Sequence, residues 1–181
     1  IKEQDRALVS LLHPDRLLDL IRNFIIYDNN VKKICRYKQY FAVKKCMKRI
    51  LLQDGADTRN GVVWHTQGSG KTITMIMLTK MILRESMKPD SSIKRPRFVM
   101  VTDRINLDKQ IRDNFIHTQM SPHRAKTGKG LIELLKEDGN TVITALVNKF
   151  EAAVKQEYCN DSENIFVFID EGHRTQYGKL N

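Results

Sequence analysis

The 181-residue chain has few of the features that mark secreted, metal-stabilised or membrane-spanning proteins. Its three cysteines, Cys35, Cys46 and Cys159, form no Cys-x-x-Cys pair, so the sequence predicts neither a disulfide framework nor a zinc site. The amino terminus lacks a signal-peptide pattern. The longest apolar-rich segment, Thr72 to Leu83, is too short to span a bilayer and contains Lys80. These absences favour a cytoplasmic protein that does not bind a membrane.

Acidic residues are missing from one part of the chain. The whole sequence has 31 Lys and Arg against 21 Asp and Glu, a net charge of +10. The segment from Val31 to Leu52 contains eight Lys and Arg and no acidic residue, so most of the excess charge lies there. The balance favours a polyanionic partner such as nucleic acid or a nucleotide. Within this segment a solvated helix face is the preferred interpretation, and DNA contact is the alternative.

Length and hydrophobic content define the size of the fold. A 41% hydrophobic fraction over 181 residues is sufficient for one sizeable core and one main domain. The chain begins with Ile1 and ends at Asn181, just after a motif that normally lies within a domain. We therefore expect a fragment of a longer protein.

The first part of the chain has helical periodicity. In "HPDRLLDLIRNFII", Pro14 occupies a favourable first helical position, and "DNN" ends the pattern. A second helix is predicted from about Lys38 to Leu52. The apolar stripe of the first predicted helix is Leu17, Leu18, Ile21, Phe24 and Ile25, and that of the second is Val43, Met47, Ile50 and Leu51.

Strands and helices then alternate. The predicted strands are "VVW", "FVMVT", "TVITAL" and "IFVFID", and the predicted helices are Lys71 to about Met87, about Ile105 to Phe115, the region of Leu131 to Leu135, and Lys149 to Glu157. This alternation is typical of an α/β fold in which a mostly parallel sheet is covered by helices on both faces. In such folds, ligands bind at the carboxyl ends of the strands.

The turn "HTQGSGKT" after Trp64 lies between a predicted strand and a predicted helix, as in a phosphate-binding P-loop. Its glycines let backbone N–H groups converge on phosphate oxygens, Lys71 adds a positive charge for the β and γ phosphates, and the Thr72 hydroxyl is a Mg²⁺ ligand. The first position departs from the pattern, because His65 replaces the usual Gly or Ala. A glycine turn beside an ordinary surface lysine is the alternative. The candidate nucleotide contacts are Thr66, Gln67, Gly68, Ser69, Gly70, Lys71 and Thr72.

A second candidate group follows the last predicted strand. In "NIFVFIDEGHR", we expect a buried strand to end at Asp170 and Glu171, with His173 two residues further on. Asp170 would hold the Mg²⁺ shell, and Glu171 would orient or deprotonate the attacking water. Incidental acids at a strand corner are the alternative interpretation. Together the two motifs predict that a triphosphate and Mg²⁺ bind between the loop and the acidic pair, and the family resemblance given below implies that the triphosphate is ATP.

The longer strings resemble one protein family. "GSGKT" with "DEGH" is similar to the DExH ATPases of helicase superfamily 2. "VVWHTQGSGKT", "VTDRINLDKQI" and "FIDEGHRTQYG" resemble the motor region of the R subunit of type I restriction enzymes, and "HPDRLLDLIRNFIIYD" and "RYKQYFAV" resemble the segment before it. The resemblance covers nearly the whole chain and implies a RecA-like three-layer domain preceded by a short helical segment.

Roles for further residues are implied by this resemblance. Gln39 matches the glutamine that reads adenine in the Q motif, with Arg36 and Tyr37 in support, although a polar residue at a helix start is the alternative. His173 would link the nucleotide site to later motifs, whereas Arg174 and Gln176 have no role that we can derive. Contacts to the DNA backbone are implied for Thr102, Asp103, Arg104, Thr144 and Lys149, with Asn148 and Phe150 in the same motif. Helix capping and solvation are the alternative for these residues.

The resemblance also implies the organisation and activity of the full-length protein. Residues 1–30 would be a helical linker after an upstream nuclease domain, and residues 31–181 a first motor domain that is incomplete at its C-terminal end. The whole would be an ATP-hydrolysing type I site-specific deoxyribonuclease that translocates double-stranded DNA and assembles with modification and specificity subunits. The isolated fragment would bind ATP–Mg²⁺ weakly and hydrolyse it negligibly. The alternatives are another superfamily 2 helicase or remodelling ATPase, and a nucleotide-regulated DNA-binding module without turnover.

Overall fold

The computed structural model describes residues 2, 5, 8–9, 12–52, 59–66, 68–137, 139–155 and 158–172, the side chain of Ala152 excepted. The chain divides into two compact units, residues 1–81 and 82–181, and each is described by itself. The predicted boundary at residue 30 falls in the turn of a hairpin in the first unit. The proposed domain division stays a prediction.

The first unit opens with helix α1, Pro14–Asn23. Pro14 begins it as predicted, because its fixed φ suits the first turn and its missing N–H has no helical partner there. The predicted apolar stripe is partly wrong: Leu18 and Ile21 remain 65% and 56% exposed. Phe24 of the predicted stripe is buried as expected, and the buried side also includes Leu20, four residues earlier, which the prediction did not contain.

A β-hairpin follows α1 where the sequence predicted that the helix continues. Strand β1, Ile25–Asp28, pairs antiparallel with β2, Val31–Ile34. The two turn residues, Asn29 and Asn30, have φ values of 50° and 64°. Two consecutive positive φ values give the primed turn that matches strand twist, and asparagine tolerates them better than other side chains. "DNN" between β-favouring residues was the signal for this hairpin.

Two further helices complete the first unit and lead into the second. Helix α2, Tyr37–Leu51, agrees with its prediction and buries Val43 and Met47. Helix α3, Lys71–Ser86, also agrees, and it starts in the first unit and ends in the second.

The predicted strand "VVW" is not present, since none of residues 60–66 is in a strand. Val62 and Trp64 are 89% and 90% exposed. Three β-favouring residues form a strand only when a neighbouring strand pairs with their backbone, and among the described residues this segment has no such neighbour.

The second unit is built on a four-stranded parallel sheet with the order β4-β5-β3-β6. The strands are β3 (Arg97–Thr102), β4 (His123–Arg124), β5 (Thr141–Leu146) and β6 (Ile165–Ile169). The connecting helices are α4 (Ile105–His117), α5 (Gly128–Lys136) and α6 (Val147–Val154). The predicted α/β class is confirmed, and the architecture is that of a RecA-like domain.

The core of the second unit lies between the sheet and α5. Its buried members are Val99, Val101, Ala125, Leu131, Leu135, Ile143 and Ala145. The prediction that β6 is a buried strand is wrong, because Val167 and Ile169 are 51% and 58% exposed. The reason is its place in the sheet: among the described residues β6 pairs only with β3, through ladders that include Phe98 opposite Phe166.

Candidate functional site

The glycine loop before α3 has the backbone of a phosphate-binding turn. Gly68 and Gly70 have φ values of 74° and 81°, in the left-handed region that favours glycine. The Ser69 N–H donates to the Thr66 carbonyl over 3.2 Å. Lys71 opens α3 directly after the loop, with Thr72 next to it, and both are partly buried. The helix amino terminus therefore places its positive dipole end beside the loop.

Gln39 contacts this loop through its side-chain amide. Gln39 is 5% exposed, and its Nε2 donates to the carbonyls of Ser69 and Gly70 over 3.2 and 3.1 Å. Its Oε1 accepts the Arg36 N–H over 2.8 Å. A Cβ atom added at Gly70 would lie 2.6 Å from the Gln39 Nε2 and would displace this amide, whereas the positive φ is what requires glycine there. Both amide protons of Gln39 are thus used by the loop, and only a lone pair of Oε1 remains for another partner.

Two polar atoms of the loop are buried without a hydrogen-bond partner, the Nδ1 of His65 and the Oγ of Ser69. Buried polar atoms are almost always paired, so we expect a bound group or an ordered water to pair with these two. Phosphate oxygens would accept from both atoms if the His65 Nδ1 carries a proton. In the sequence alone, His65 stands out only as a departure from the P-loop pattern.

The acidic pair lies at the carboxyl edge of the sheet in the second unit. The Asp170 N–H donates to the Val101 carbonyl over 3.0 Å, which extends the β3–β6 ladder by one bond. The Asp170 Oδ1 accepts the Glu171 N–H over 3.0 Å, and Glu171 has a φ of 52°. A positive φ is unusual for glutamate and is typical of strained residues near functional sites. The structure thus turns the chain sharply at the end of β6.

Residues that follow the neighbouring strands lie at the same edge. Thr102 and Leu146 are register partners at the ends of β3 and β5, so the loops after them start side by side. The Arg104 side chain is 63% exposed and its Nε lies 3.6 Å from the Asp103 Oδ2. Lys149 is partly exposed near the start of α6. These side chains are accessible to a ligand at the carboxyl edge.

Two of the residues predicted to contact DNA are buried. Thr102 and Thr144 are 2% and 1% exposed, so their side chains do not lie at the surface, and their contact with DNA stays a prediction. Both lie on strands in the middle of the sheet, where side chains point into the layers on either face. The Thr102 Oγ1 instead donates to the Arg104 carbonyl over 3.5 Å, and this long contact holds the turn.

Buried charge sits close to this edge. Asp108, in the first turn of α4, is 1% exposed, and the Arg124 Nε lies 2.9 Å from its Oδ2. Neither Asp108 oxygen accepts a hydrogen bond of good geometry. The attraction between Asp108 and Arg124 is therefore mainly electrostatic. The helix amino terminus also stabilises the carboxylate. This pair fixes the start of α4 against β4.

A second charged cluster lies in the first unit, around Asp19 of α1. Its carboxylate accepts from Asn23, from the Tyr40 hydroxyl and from the Lys44 ammonium, over 2.6, 2.9 and 2.9 Å. Burial raises the pKa of Asp19, but these hydrogen bonds outweigh it and hold the pKa below its usual value. Burial, and then the Asp19 charge, raise the pKa of the Cys35 thiol to about 11.

Several predicted site residues lie outside the described residues, namely Gln67, His173, Arg174 and Gln176. The loop belongs to the first unit and the acidic pair to the second. Their common ligand, and the Mg²⁺ between Thr72 and Asp170, stay predictions. Among the described residues no cluster of three or more His, Cys, Asp or Glu could hold a metal ion, and no helix is long and apolar enough to cross a membrane.

The parallel sheet of the second unit defines an α/β protein of the RecA-like class. The chain belongs to the SWI2/SNF2 ATPase family, whose model matches residues 38–181. The match begins one residue after the start of α2 and therefore includes Gln39, the glycine loop and the acidic pair.

Comparison with individual relatives points to one kind of protein within this family. The chain is 34% identical over 184 residues to the "Putative type I restriction enzyme MjaIXP endonuclease subunit" of Methanocaldococcus jannaschii. The matched region covers 97% of this chain and 17% of the relative. It is 33% identical over 192 residues to the type I restriction enzyme HindI endonuclease subunit of Haemophilus influenzae, covering 97% of this chain and 18% of the relative. The predicted resemblance to the R subunit is confirmed. The chain spans less than a fifth of the length of these two relatives.

Proposed function

We propose that this chain is the ATP-binding part of a DNA-translocating motor in a type I restriction enzyme. The observation that carries the proposal is the glycine loop, which has two glycines at positive φ, a helix starting at Lys71, and two buried polar atoms without partners. Family membership and the names of the relatives support ATP use and a restriction system.

Each candidate residue has a physical task. The loop N–H groups and Lys71 would neutralise the β and γ phosphates, and the Ser69 hydroxyl would donate to a phosphate oxygen. The Thr72 hydroxyl and the Asp170 carboxylate are hard oxygen donors of the kind that Mg²⁺ prefers, and the ion would spread the charge of the phosphates. Glu171 would orient or deprotonate the attacking water, and His173 would connect this site to later motifs.

Gln39 has two candidate tasks, to position the glycine loop and to read adenine. Its amide protons donate to Ser69 and Gly70, which favours positioning. The remaining lone pair of Oε1 could still accept from an adenine amino group, with Arg36 beside it. The remaining loop contacts, Thr66 and Gln67, would contact the nucleotide as the sequence predicts.

Double-stranded DNA is the proposed track. Arg104 and Lys149 carry exposed or partly exposed cations at the carboxyl edge, and Asp103 orients Arg104. Thr102 and Thr144 would support these loops from inside. Phosphate contacts carry no sequence information, which suits a translocase, and target choice would belong to specificity and modification subunits of a cytoplasmic complex.

The test compares Lys71→Ala and Glu171→Gln in the full-length protein, with its partner subunits and unmethylated DNA. We expect ATP hydrolysis to fall by at least about 100-fold in both, with ATP affinity reduced only in Lys71→Ala, because Lys71 binds phosphate and Glu171 acts in the chemical step. Lys129→Ala, which changes an exposed lysine outside the site, should keep full activity. Unchanged hydrolysis in both variants would refute the proposal.

The rival proposals predict other outcomes. A binding module regulated by ATP without turnover would keep its DNA output in Glu171→Gln whenever ATP is bound. A superfamily 2 motor of another kind would hydrolyse ATP without cleaving DNA, with or without the partner subunits. The isolated 181-residue chain is expected to hydrolyse ATP negligibly.

A further inference from the structure

The outer side of α2 carries a row of cations that has no acidic counterpart. Lys38, Lys45 and Lys48 are exposed, and among the described residues no ion pair is found for them. No acidic residue occurs between Val31 and Leu52, so α2 also lacks the Glu–Lys pairs that usually neutralise exposed helix faces. We call Lys38, Lys45 and Lys48 the basic row.

The basic row has a regular geometry. With Phe41 its residues are spaced by three, four and three positions, which places them on one side of the helix. At about 1.5 Å of rise per residue the row is about 15 Å long. Phe41 is 43% exposed within it, and the Arg16 guanidinium lies 5.6 Å from the Phe41 ring. The row is therefore a continuous cationic strip with an aromatic ring in its middle.

The charges of the basic row give the fold little net stabilisation. Lys45 and Lys48, three residues apart, repel each other, and Lys38 lies in the first turn, where the helix dipole disfavours a positive charge. Lys48 lies in the last turn, where the dipole favours a cation, and this offsets part of the repulsion. Elsewhere in the same segment cations do have acids: Lys44 pairs with Asp19 over 2.9 Å, and Lys33 pairs with Asp28. The basic row differs from other exposed lysines in that its whole segment lacks acidic residues, in a chain with a net charge of +10.

We propose that the basic row binds the phosphate backbone of nucleic acid, without reading its bases. A cationic strip complements a phosphate strand, and an exposed aromatic ring can pack against sugar or an unstacked base. An anionic membrane fits less well, because the apolar side of α2 is buried through Val43 and Met47 and cannot insert between lipids. The surface is additional to the DNA contacts proposed after β3 and β5, and it does not depend on ATP.

The test measures DNA binding by the full-length protein without nucleotide. The variant Lys38→Gln, Lys45→Gln, Lys48→Gln is compared with Lys126→Gln, Lys129→Gln, Lys155→Gln, which removes the same charge from exposed lysines of the second unit. Fluorescence anisotropy follows a non-specific duplex of about 30 base pairs between about 50 and 200 mM salt. Loss of three phosphate contacts should make the slope of the logarithm of the association constant against the logarithm of the salt concentration less negative by about 2 to 3. Binding at the lower salt concentration should weaken by about tenfold or more. The control variant should show neither change.

Folding and alternative partners are tested in parallel. Circular dichroism should give an unfolding temperature close to that of the unmodified protein, because the repulsion that is removed offsets the lost dipole interaction of Lys48. The variant Lys38→Arg, Lys45→Arg, Lys48→Arg should retain binding. Equal salt slopes in the basic-row variant and the control would overturn the proposal, as would binding through this row to vesicles with anionic lipids but not to DNA. Neither result bears on ATP hydrolysis, so the motor proposal is tested separately.

Discussion

At the residue scale, the side chain of Gln39 shows how a sequence match and a structural role differ. The match to the Q motif predicts a contact with adenine. In the structure the amide donates instead to two carbonyls of the glycine loop, thirty and thirty-one residues away in the chain. A side chain with both protons engaged can position the loop for any nucleotide, whatever its base.

The variant Gln39→Ala distinguishes positioning from base reading. The two hydrogen bonds to the loop, of about 0.5–1.5 kcal/mol each, would be lost, so we expect affinity for ATP, GTP and inorganic triphosphate to fall together, by roughly tenfold. Isothermal titration calorimetry on the full-length protein measures this, with Gln110→Ala, on the exposed side of α4, as the control. If triphosphate affinity were unchanged while the preference for ATP over GTP disappeared, Gln39 would be an adenine reader instead.

Asp19 provides a second prediction at this scale, on pH dependence. The folded pKa of Asp19 lies below its ordinary value of 3.8, so its stabilising effect is complete above 3.8 and is lost as pH falls through the folded value. Asp19→Asn should therefore destabilise by about 1–2 kcal/mol at pH 7 and progressively less below about pH 4. Urea unfolding at several pH values measures the difference.

Asp15→Asn is the matched control for Asp19→Asn. Asp15 lies on the same helix, and its side chain is 92% exposed. Its replacement should lower the free energy of unfolding by less than that of Asp19, about 0.3–0.5 kcal/mol at pH 7, since only a helix-dipole contribution is lost. A destabilisation by Asp19→Asn that did not depend on pH would mean that shape, and not charge, accounts for the role of Asp19.

At the element scale, the hairpin between α1 and α2 depends on its turn. Asn30 has a φ of 64°, which costs an ordinary residue about 1–2 kcal/mol. We expect Asn30→Ala to lower the free energy of unfolding by about 1 kcal/mol and Asn30→Gly to be neutral or stabilising. Thermal unfolding compares the two with Asn106→Ala, a replacement on the exposed side of α4. Equal effects of Ala and Gly at position 30 would contradict the turn assignment.

Strand β6 shows a second effect at this scale. Its composition, Ile-Phe-Val-Phe-Ile, is typical of a strand buried on both faces, and that expectation was wrong. The position of the strand, and not its composition, decides which of its side chains are exposed. Phe166 and Phe168 stack on Phe98, with ring centroids 5.6 and 6.3 Å from that of Phe98. On the other face, Val167 and Ile169 are exposed. Position in the sheet is a tertiary property that the residues of one strand do not encode.

At the scale of the whole molecule, the charge is divided unevenly along the chain. Residues 1–81 contain 15 Lys and Arg against 7 Asp and Glu, and residues 82–181 contain 16 against 14. The first unit thus holds nearly all the excess positive charge. Its attraction to polyanions should be long-ranged and screened by salt.

The three cysteines allow the folded state of the whole molecule to be tested. Cys159 is exposed, whereas burial raises the pKa of Cys46 and raises that of Cys35 to about 11. Because the thiolate is the reactive form, a disulfide reagent at pH 8 should modify one thiol rapidly in the native 181-residue chain and all three in denaturant. The rapid phase should disappear in Cys159→Ser. Two or more rapid thiols in the native protein would be inconsistent with this packing.

The sequence by itself determined the features that depend only on residues close together in the chain. The glycine loop with its following helix, Pro14 at the start of α1, and the alternation that predicts a parallel sheet are all local in the chain. The family resemblance was readable for the same reason, since its motifs are short continuous strings. Each needs only the conformational preferences of residues a few positions apart.

Only the tertiary structure decided which of these residues are accessible and what they contact. Thr102 and Thr144 are buried because neighbouring strands and helices enclose them, and Gln39 meets the loop because α2 folds back on it. The segment at Val62 is exposed because no strand pairs with it among the described residues. Burial and pairing depend on residues far apart in the chain, which no local pattern specifies.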